Sequence, residues 1–182
     1  MTAHLTRLLP ALALAAATAL PAHAEVPVPG SQPYPGTIVL KVDATDLNHQ
    51  IFRMHETIPV KPGALTLLYP QWLPANHGPN GPLTQLAGLK LTANGKPVEW
   101  TRDPLQVHAF HLTVPAGATT LDAEYQYLSP LEANQGRNTM TDNIVGVQWI
   151  SVTLYPAGYN SRRITYQANL TLPDGWQYGT AL

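Results

Sequence analysis

No cysteine occurs anywhere in the 182 residues, and charged side chains make up only 12% of them, about half the share of an ordinary soluble protein. The first absence excludes disulfides, thiolate chemistry and a cysteine-borne lipid anchor, so stability has to come from packing. The second leaves ten basic residues against eleven acidic ones, without the basic patch that nucleic acid requires. A surface so poor in charge is either uncharged polar or covered by something else. Gly-x-Ser-x-Gly, a glycine-rich phosphate loop and a complete His-Glu-x-x-His are also missing, and with them the usual sequence signs of serine hydrolases, nucleotide binders and zinc peptidases. Past residue 24 no stretch of ten residues carries a helical apolar stripe, and no repeat or low-complexity tract stands out.

The first 24 residues are of a different kind. Arg7 precedes an apolar run over residues 8–20, and Ala22-His23-Ala24 offers small residues for cleavage after Ala24, the layout of a secretory signal peptide. The run is too short for a membrane anchor, which needs about 20 apolar residues. No paired arginine marks twin-arginine export. The expected product is periplasmic or secreted and free of the membrane once the signal is removed. It comprises 158 residues with nine basic and eleven acidic side chains, a net charge of −2. That length makes one domain with one core, able to bury about 70% of its unfolded surface. Residues 25–35 read as a proline-rich leader and 36–182 as the domain.

Within the domain the apolar period is two. Ile164, Tyr166, Ala168, Leu170 and Leu172 alternate with Thr165, Gln167, Asn169 and Thr171. The same alternation runs through Leu121, Ala123, Tyr125 and Tyr127, and through Phe110, Leu112 and Val114. One face is buried and one wet, which is the mark of a half-buried strand. Further strands are predicted over residues 37–42, 50–58, 64–69, 88–92 and 146–153. Asn94-Gly95, between Leu91 and Trp100, predicts a type I′ hairpin, whose two central positions need positive φ. Sixteen of the eighteen prolines fall after residue 24, between strand candidates, where they remove donors and stop helices. About eight short strands with turns between them predict an all-β antiparallel sandwich with a single core. Residues 130–143, polar and unpatterned, are predicted to form a long surface loop.

Histidine is the obvious place to look for a metal. His55-Glu56 begins like His-Glu-x-x-His, but the second histidine is missing and Pro59 interrupts the stretch. In the strand predicted there, residues four apart lie ~13 Å apart rather than on adjacent turns. His108 and His111, three apart in a strand, point to opposite faces. His49 and His55 share a face but lie about 20 Å apart. None of these pairs is expected to chelate.

Residues 68–82, LYPQWLPANHGPNGP, are the most distinctive stretch, a proline-punctuated loop centred on Trp72 that an ordinary β-protein has no reason to contain. Asn76, His77 and Asn80 sit on it, where a rigid backbone can hold polar groups toward a partner. Two readings stand side by side. Trp72 caps the sandwich core while the prolines fix the loop, or Trp72 and His77 form a platform for a peptide or sugar. Trp72, Pro74, Asn76, His77 and Asn80 are therefore the candidate binding or interdomain residues, and no residue is a candidate catalytic group or metal ligand.

Five segments of the chain carry a family likeness. They are Tyr69-Pro70-Gln71-Trp72-Leu73-Pro74, His77-Gly78-Pro79-Asn80-Gly81-Pro82, Leu86-Ala87-Gly88-Leu89, Trp100-Thr101-Arg102-Asp103 and Leu170-Thr171-Leu172-Pro173-Asp174-Gly175-Trp176. Together they resemble the N-terminal domain of the glycyl aminopeptidase family of zinc metallopeptidases, over about residue 34 to residue 182. The tryptophan-proline loop followed by His-Gly-Pro is the most specific part. One position departs, since the family usually has glycine where this chain has Ala75.

The resemblance implies a β-rich first module, then a thermolysin-like catalytic domain with His-Glu-x-x-His and a further glutamate ligand, and often a PDZ-like domain. Zinc and the general base would lie in the catalytic domain beyond Leu182. This chain would carry no cofactor and no activity of its own, and it reads as one piece of a longer or split protein. Its implied partners are that catalytic domain, in cis or in trans, and a peptide substrate. The expected role is a non-catalytic wall of the substrate cleft, with a free-standing periplasmic peptide- or sugar-binding module as the alternative.

Overall fold

The computed structural model describes residues 25–132 and 137–181. The predicted signal peptide and its cleavage site at Ala24 lie outside the described residues. In chain order the first strands are β1 (Thr37–Asp46), β2 (Ile51–Pro59), β3 (Gly63–Leu68) and β4 (Leu86–Ala93). Then come β5 (Lys96–Val98), β6 (Trp100–Arg102), β7 (Ala109–Val114) and β8 (Thr120–Leu128). Last are β9 (Thr139–Met140), β10 (Val145–Gly146), β11 (Tyr155–Pro156) and β12 (Thr165–Thr171). Three single-turn 3-10 helices and no α-helix occur among the described residues.

The strands make a six-stranded sheet in the order β12-β1-β2-β8-β4-β5, a four-stranded sheet β11-β3-β7-β6, and the small pair β10-β9. Alternation explains why they stack. Ile38, Leu40 and Val42 of β1, Phe52, Met54 and Ile58 of β2, and Leu121, Ala123, Tyr125 and Tyr127 of β8 all face one buried cluster. Leu67, Phe110, Leu112 and Val114 of the smaller sheet enter the same cluster. The predicted all-β sandwich with one core is what the chain forms. Twelve strands appear among the described residues instead of about eight, because strands of two or three residues leave no readable period. Asn94 at φ 52° and Gly95 at φ 70° join β4 to β5, as a type I′ turn requires. Residues ahead of β1 also pack: Tyr34 enters the core and its hydroxyl donates to the Pro59 carbonyl.

Three features differ from expectation. The edge pair β1 and β12 runs parallel, with Thr37 opposite Thr165 and Asp43 opposite Thr171, whereas the other named strand pairs are antiparallel. Residues 146–153 are not one strand: only Val145–Gly146 is extended, Trp149–Ser151 coils into a 3-10 turn, and buried irregular backbone follows to β11. Part of the predicted surface loop 130–143 is pulled inward as β9, with Asn138 1% and Met140 2% exposed. The cause is the Asn138 side chain, which donates to Ser151 Oγ at 3.1 Å and accepts from the Gln148 N–H at 2.6 Å. Residues 133–136 of that loop lie outside the described residues.

Candidate functional site

After β3 the buried pair Tyr69 and Pro70 anchors the tryptophan loop. The Tyr69 N–H donates to His108 O at 2.8 Å, and the two rings stack with centroids 6.1 Å apart. The chain then leaves the sandwich and returns, closed by the Gly81 N–H donating to Gln71 O at 2.8 Å. Only glycine fits this closure, because a Cβ on Gly81 would stand 1.9 Å from Pro70 O. Within the excursion Leu73 turns inward, the Asn76 N–H bonds Leu73 O at 3.0 Å, and Asn76 Nδ2 donates to Asn80 Oδ1 at 3.0 Å. Ala75 sits at φ 65°, a region that costs a side-chain-bearing residue ~1–2 kcal/mol. That is the physical sense of the glycine that the family resemblance leads one to expect there.

Trp72 is 64% exposed, so it does not cap the core. Pro74, His77 and Asn80 are exposed too, and Asn76 is half-buried. The loop thus presents all five predicted residues at its tip without burying any of them fully.

The facing wall is a segment that sequence reasoning missed. Residues 151–154 are buried but irregular, and such backbone is tolerable only when each polar group finds a partner. Tyrosines from three elements supply the donors. Tyr69 Oη donates to Ser151 O at 2.7 Å, Tyr125 Oη on β8 to Val152 O at 2.9 Å, and Tyr166 Oη on β12 to Leu154 O at 3.0 Å. Glu56 on β2 completes the set, its Oε1 accepting from the Leu154 N–H at 2.7 Å and lying 2.5 Å from Tyr125 Oη. Burial raises all three phenols well above their ordinary range. Desolvation likewise pushes the Glu56 carboxyl up to about 7, against the opposing pull of its hydrogen bonds to Tyr125 and Leu154. A signal for this site was present in the sequence: Glu56 falls on the apolar face of β2 with Phe52, Met54 and Ile58, where a carboxylate breaks the pattern.

Between loop and wall lies a cleft of about 670 Å³ lined by Tyr69, Trp72, Trp149, Tyr155 and Tyr166, with Gln71, Gln106 and Arg162 adding polar groups. On the other side of the Trp72-Leu73 ridge a hollow of about 800 Å³ is lined by Asn76, Asn80, Gln85, His108, Arg137 and Gln148. The first suits apolar and aromatic groups, the second hydrogen-bonding ones. Leu105 and Val107, 80% and 44% exposed, lie on the loop between β6 and β7; Gln106 between them lines the first cleft and Val107 the second.

Asp103 shapes that neighbouring loop. Its Oδ1 accepts from the Leu105 and Gln106 N–H groups, both at 2.8 Å, and its Oδ2 accepts from His111 Nε2 at 2.9 Å. Thr66 Oγ1 lies 2.9 Å from His111 Nδ1. The order hydroxyl, imidazole, carboxylate is that of a hydrolase triad, but Thr66 is 8% and Asp103 2% exposed. A substrate has no access to that hydroxyl, and the set braces β3, β7 and the loop. The other histidines are spread out: His49 pairs with Asp46 at 2.6 Å and His55 with Asp122 at 3.0 Å, while Glu56 beside it turns into the core. Among the described residues no three His, Asp or Glu side chains stand close enough to hold a metal ion.

A family model described as the Peptidase M61 N-terminal domain matches residues 39–182. No curated protein matches the sequence. Among solved structures the chain is similar to an aminopeptidase N family protein from Idiomarina loihiensis, at 15% identity and a TM-score of 0.60. That likeness is one of fold; it covers 76% of this chain, which spans 22% of the length of the other.

Proposed function

Since the chain belongs to the peptidase M61 N-terminal domain family, we propose that it is the non-catalytic β-domain of an exported, glycyl-aminopeptidase-like zinc metallopeptidase. Its tryptophan ridge packs on a catalytic domain, in cis or in trans, and helps to wall the substrate cleft. The observation that carries this reading is the exposure of Trp72 at the aromatic cleft and of Val107 at the polar hollow, with Leu105 exposed on the same loop as Val107. Large apolar side chains left exposed beside concavities support an interaction site. In this reading zinc and the general base reside in the catalytic domain, the β-domain turns nothing over, and residues 1–24 direct export to the periplasm or beyond.

The aromatic lining of the first cleft supports a second reading, a free-standing module that holds a peptide or sugar against Trp72 and Trp149. One experiment separates the two. The β-domain is expressed beside the catalytic module of the same enzyme, as wild type and as Trp72→Ala. Co-purification that weakens in the variant is the expected result. A folded, monomeric wild type that ignores the catalytic module would sink the packing role, and saturable peptide or sugar binding by the β-domain alone would establish the second.

A further inference from the structure

Tyr125 stands between two acceptors with one proton to give. Its Oη lies 2.5 Å from Glu56 Oε1 and 2.9 Å from Val152 O, and a carbonyl oxygen can only accept. With Glu56 ionised, the phenol donates to the carboxylate and the buried Val152 carbonyl loses its tyrosine. With Glu56 protonated, the acid donates to Tyr125 Oη and Tyr125 donates onward to Val152 O, so both short contacts become hydrogen bonds. The second carboxyl oxygen decides the same way. Glu56 Oε2 is buried, and the Thr153 hydroxyl near the carboxyl donates to Leu154 O rather than to it, which a neutral carbonyl oxygen tolerates far better than half of an anion.

Among the described residues no cation acts on the carboxyl. The groups acting on the carboxyl are Tyr125 from β8, Tyr166 from β12, and the Thr153 hydroxyl and Leu154 N–H from the wall segment. Leu40 of β1 and Ala123 of β8 flank it in the sheet, and Tyr69 acts on Tyr125 from beyond β3.

We propose that Glu56 is a proton-dependent latch: neutral, it leaves the Tyr125 proton to Val152 O, and ionised, it draws that proton to itself and frees the Val152 carbonyl while it grips the Leu154 N–H more tightly, changing how the wall beside Trp149 and Tyr155 is fastened. The carboxyl's rise to about 7 puts the change near neutrality. The latch works the same way whether the cleft receives a catalytic domain or a peptide.

The carbon-13 shift of the Glu56 carboxyl, followed by NMR on the whole folded chain from about pH 4 to about pH 9, reads the titration directly. The carbon-13 shift of the Val152 carbonyl reads its bond to Tyr125. The expected result is a Glu56 midpoint above about 6 and a step in the Val152 carbonyl shift at the same midpoint. Glu56→Gln, neutral throughout, removes the step. Should that variant not fold, Tyr125→Phe serves instead, because without the hydroxyl there is no Val152 bond to lose and the step shrinks. A midpoint at the ordinary value near 4.3, or an undiminished step in the folded variant, overturns the latch.

Discussion

Glu56 and Trp72 are the two side chains whose surroundings make the sharpest demands on measurement. The Glu56 carboxyl has the ordinary carboxylate value near 4.5 in the unfolded chain, and burial pushes it up to about 7 in the folded one. Between those values the folded state holds more protons, so stability falls as pH rises through the window, and the deficit is complete above about 7. A shift of that size corresponds to roughly 3 kcal/mol. Glu56→Gln keeps the shape and the neutral state, so its urea stability relative to wild type is expected to rise between pH 5 and pH 8 by a few kcal/mol. A gap that stays constant or narrows would show that the carboxyl is not held neutral. Trp72 behaves oppositely. At 64% exposure its truncation to alanine is expected to cost under ~1 kcal/mol, whereas Leu67→Ala, at a position with 0% exposure, should cost about 2–5 kcal/mol. Equal losses in denaturant midpoint would return Trp72 to the core.

At the scale of elements, the tryptophan loop is fixed by two backbone positions of opposite kind. Ala75→Gly relieves a left-handed φ of 65° and is expected to stabilise the domain by up to ~1 kcal/mol, the strain removed less the entropy glycine adds. Gly81→Ala drives a Cβ to within 1.9 Å of Pro70 O and must shift the backbone, with an expected loss of ~2 kcal/mol or more. Thermal unfolding of both variants checks the pair, and a stabilised Gly81→Ala would show that the closure is not as tight as drawn. These elements also show which features could be read in advance. The strands β1, β2, β7, β8 and β12 were legible because apolar and polar residues alternate along them, and β3 and β4 as short leucine-rich runs bounded by turns. The β4–β5 turn was legible because its φ values are dictated by Asn94-Gly95 itself. Residues 146–153 misled for a definite reason: the backbone of 151–154 is satisfied by Tyr69, Tyr125, Tyr166 and Glu56, which lie 82, 27, 12 and 98 residues from the groups they bond. No local period encodes such partners. The parallel pairing of β12 with β1 was hidden likewise, since alternation tells a strand from a helix and says nothing of its neighbour or direction.

Over the whole molecule the two sheets are unequal, six strands against four, and the overhang lies at β12. Tyr166, Ala168 and Leu170 of that strand are only half-buried, and Ala168 and Trp149 line both the aromatic cleft and a further hollow that reaches Leu172 and Trp176. The open side of the larger sheet and the tryptophan ridge therefore meet along one flank, aromatic and apolar at the cleft and mixed with polar groups beyond it. Ion pairing has little to contribute there, because charged residues are only 12% of the chain, and among the described residues Arg162 is the one charged side chain lining the aromatic cleft. Association with a catalytic domain through this flank is accordingly expected to be driven by apolar burial and to be nearly indifferent to salt. Between about 0.05 M and 0.5 M NaCl the Kd should change by less than about threefold, whereas an interface built on exposed ion pairs would weaken steeply as the Debye length shrinks. The same titration should show a negative heat-capacity change, the mark of apolar burial. Calorimetry of the β-domain with its catalytic module at the two salt concentrations gives both quantities. Tenfold weakening at high salt, with little heat-capacity change, would move the interface off this flank and onto the charged edges of the sheets.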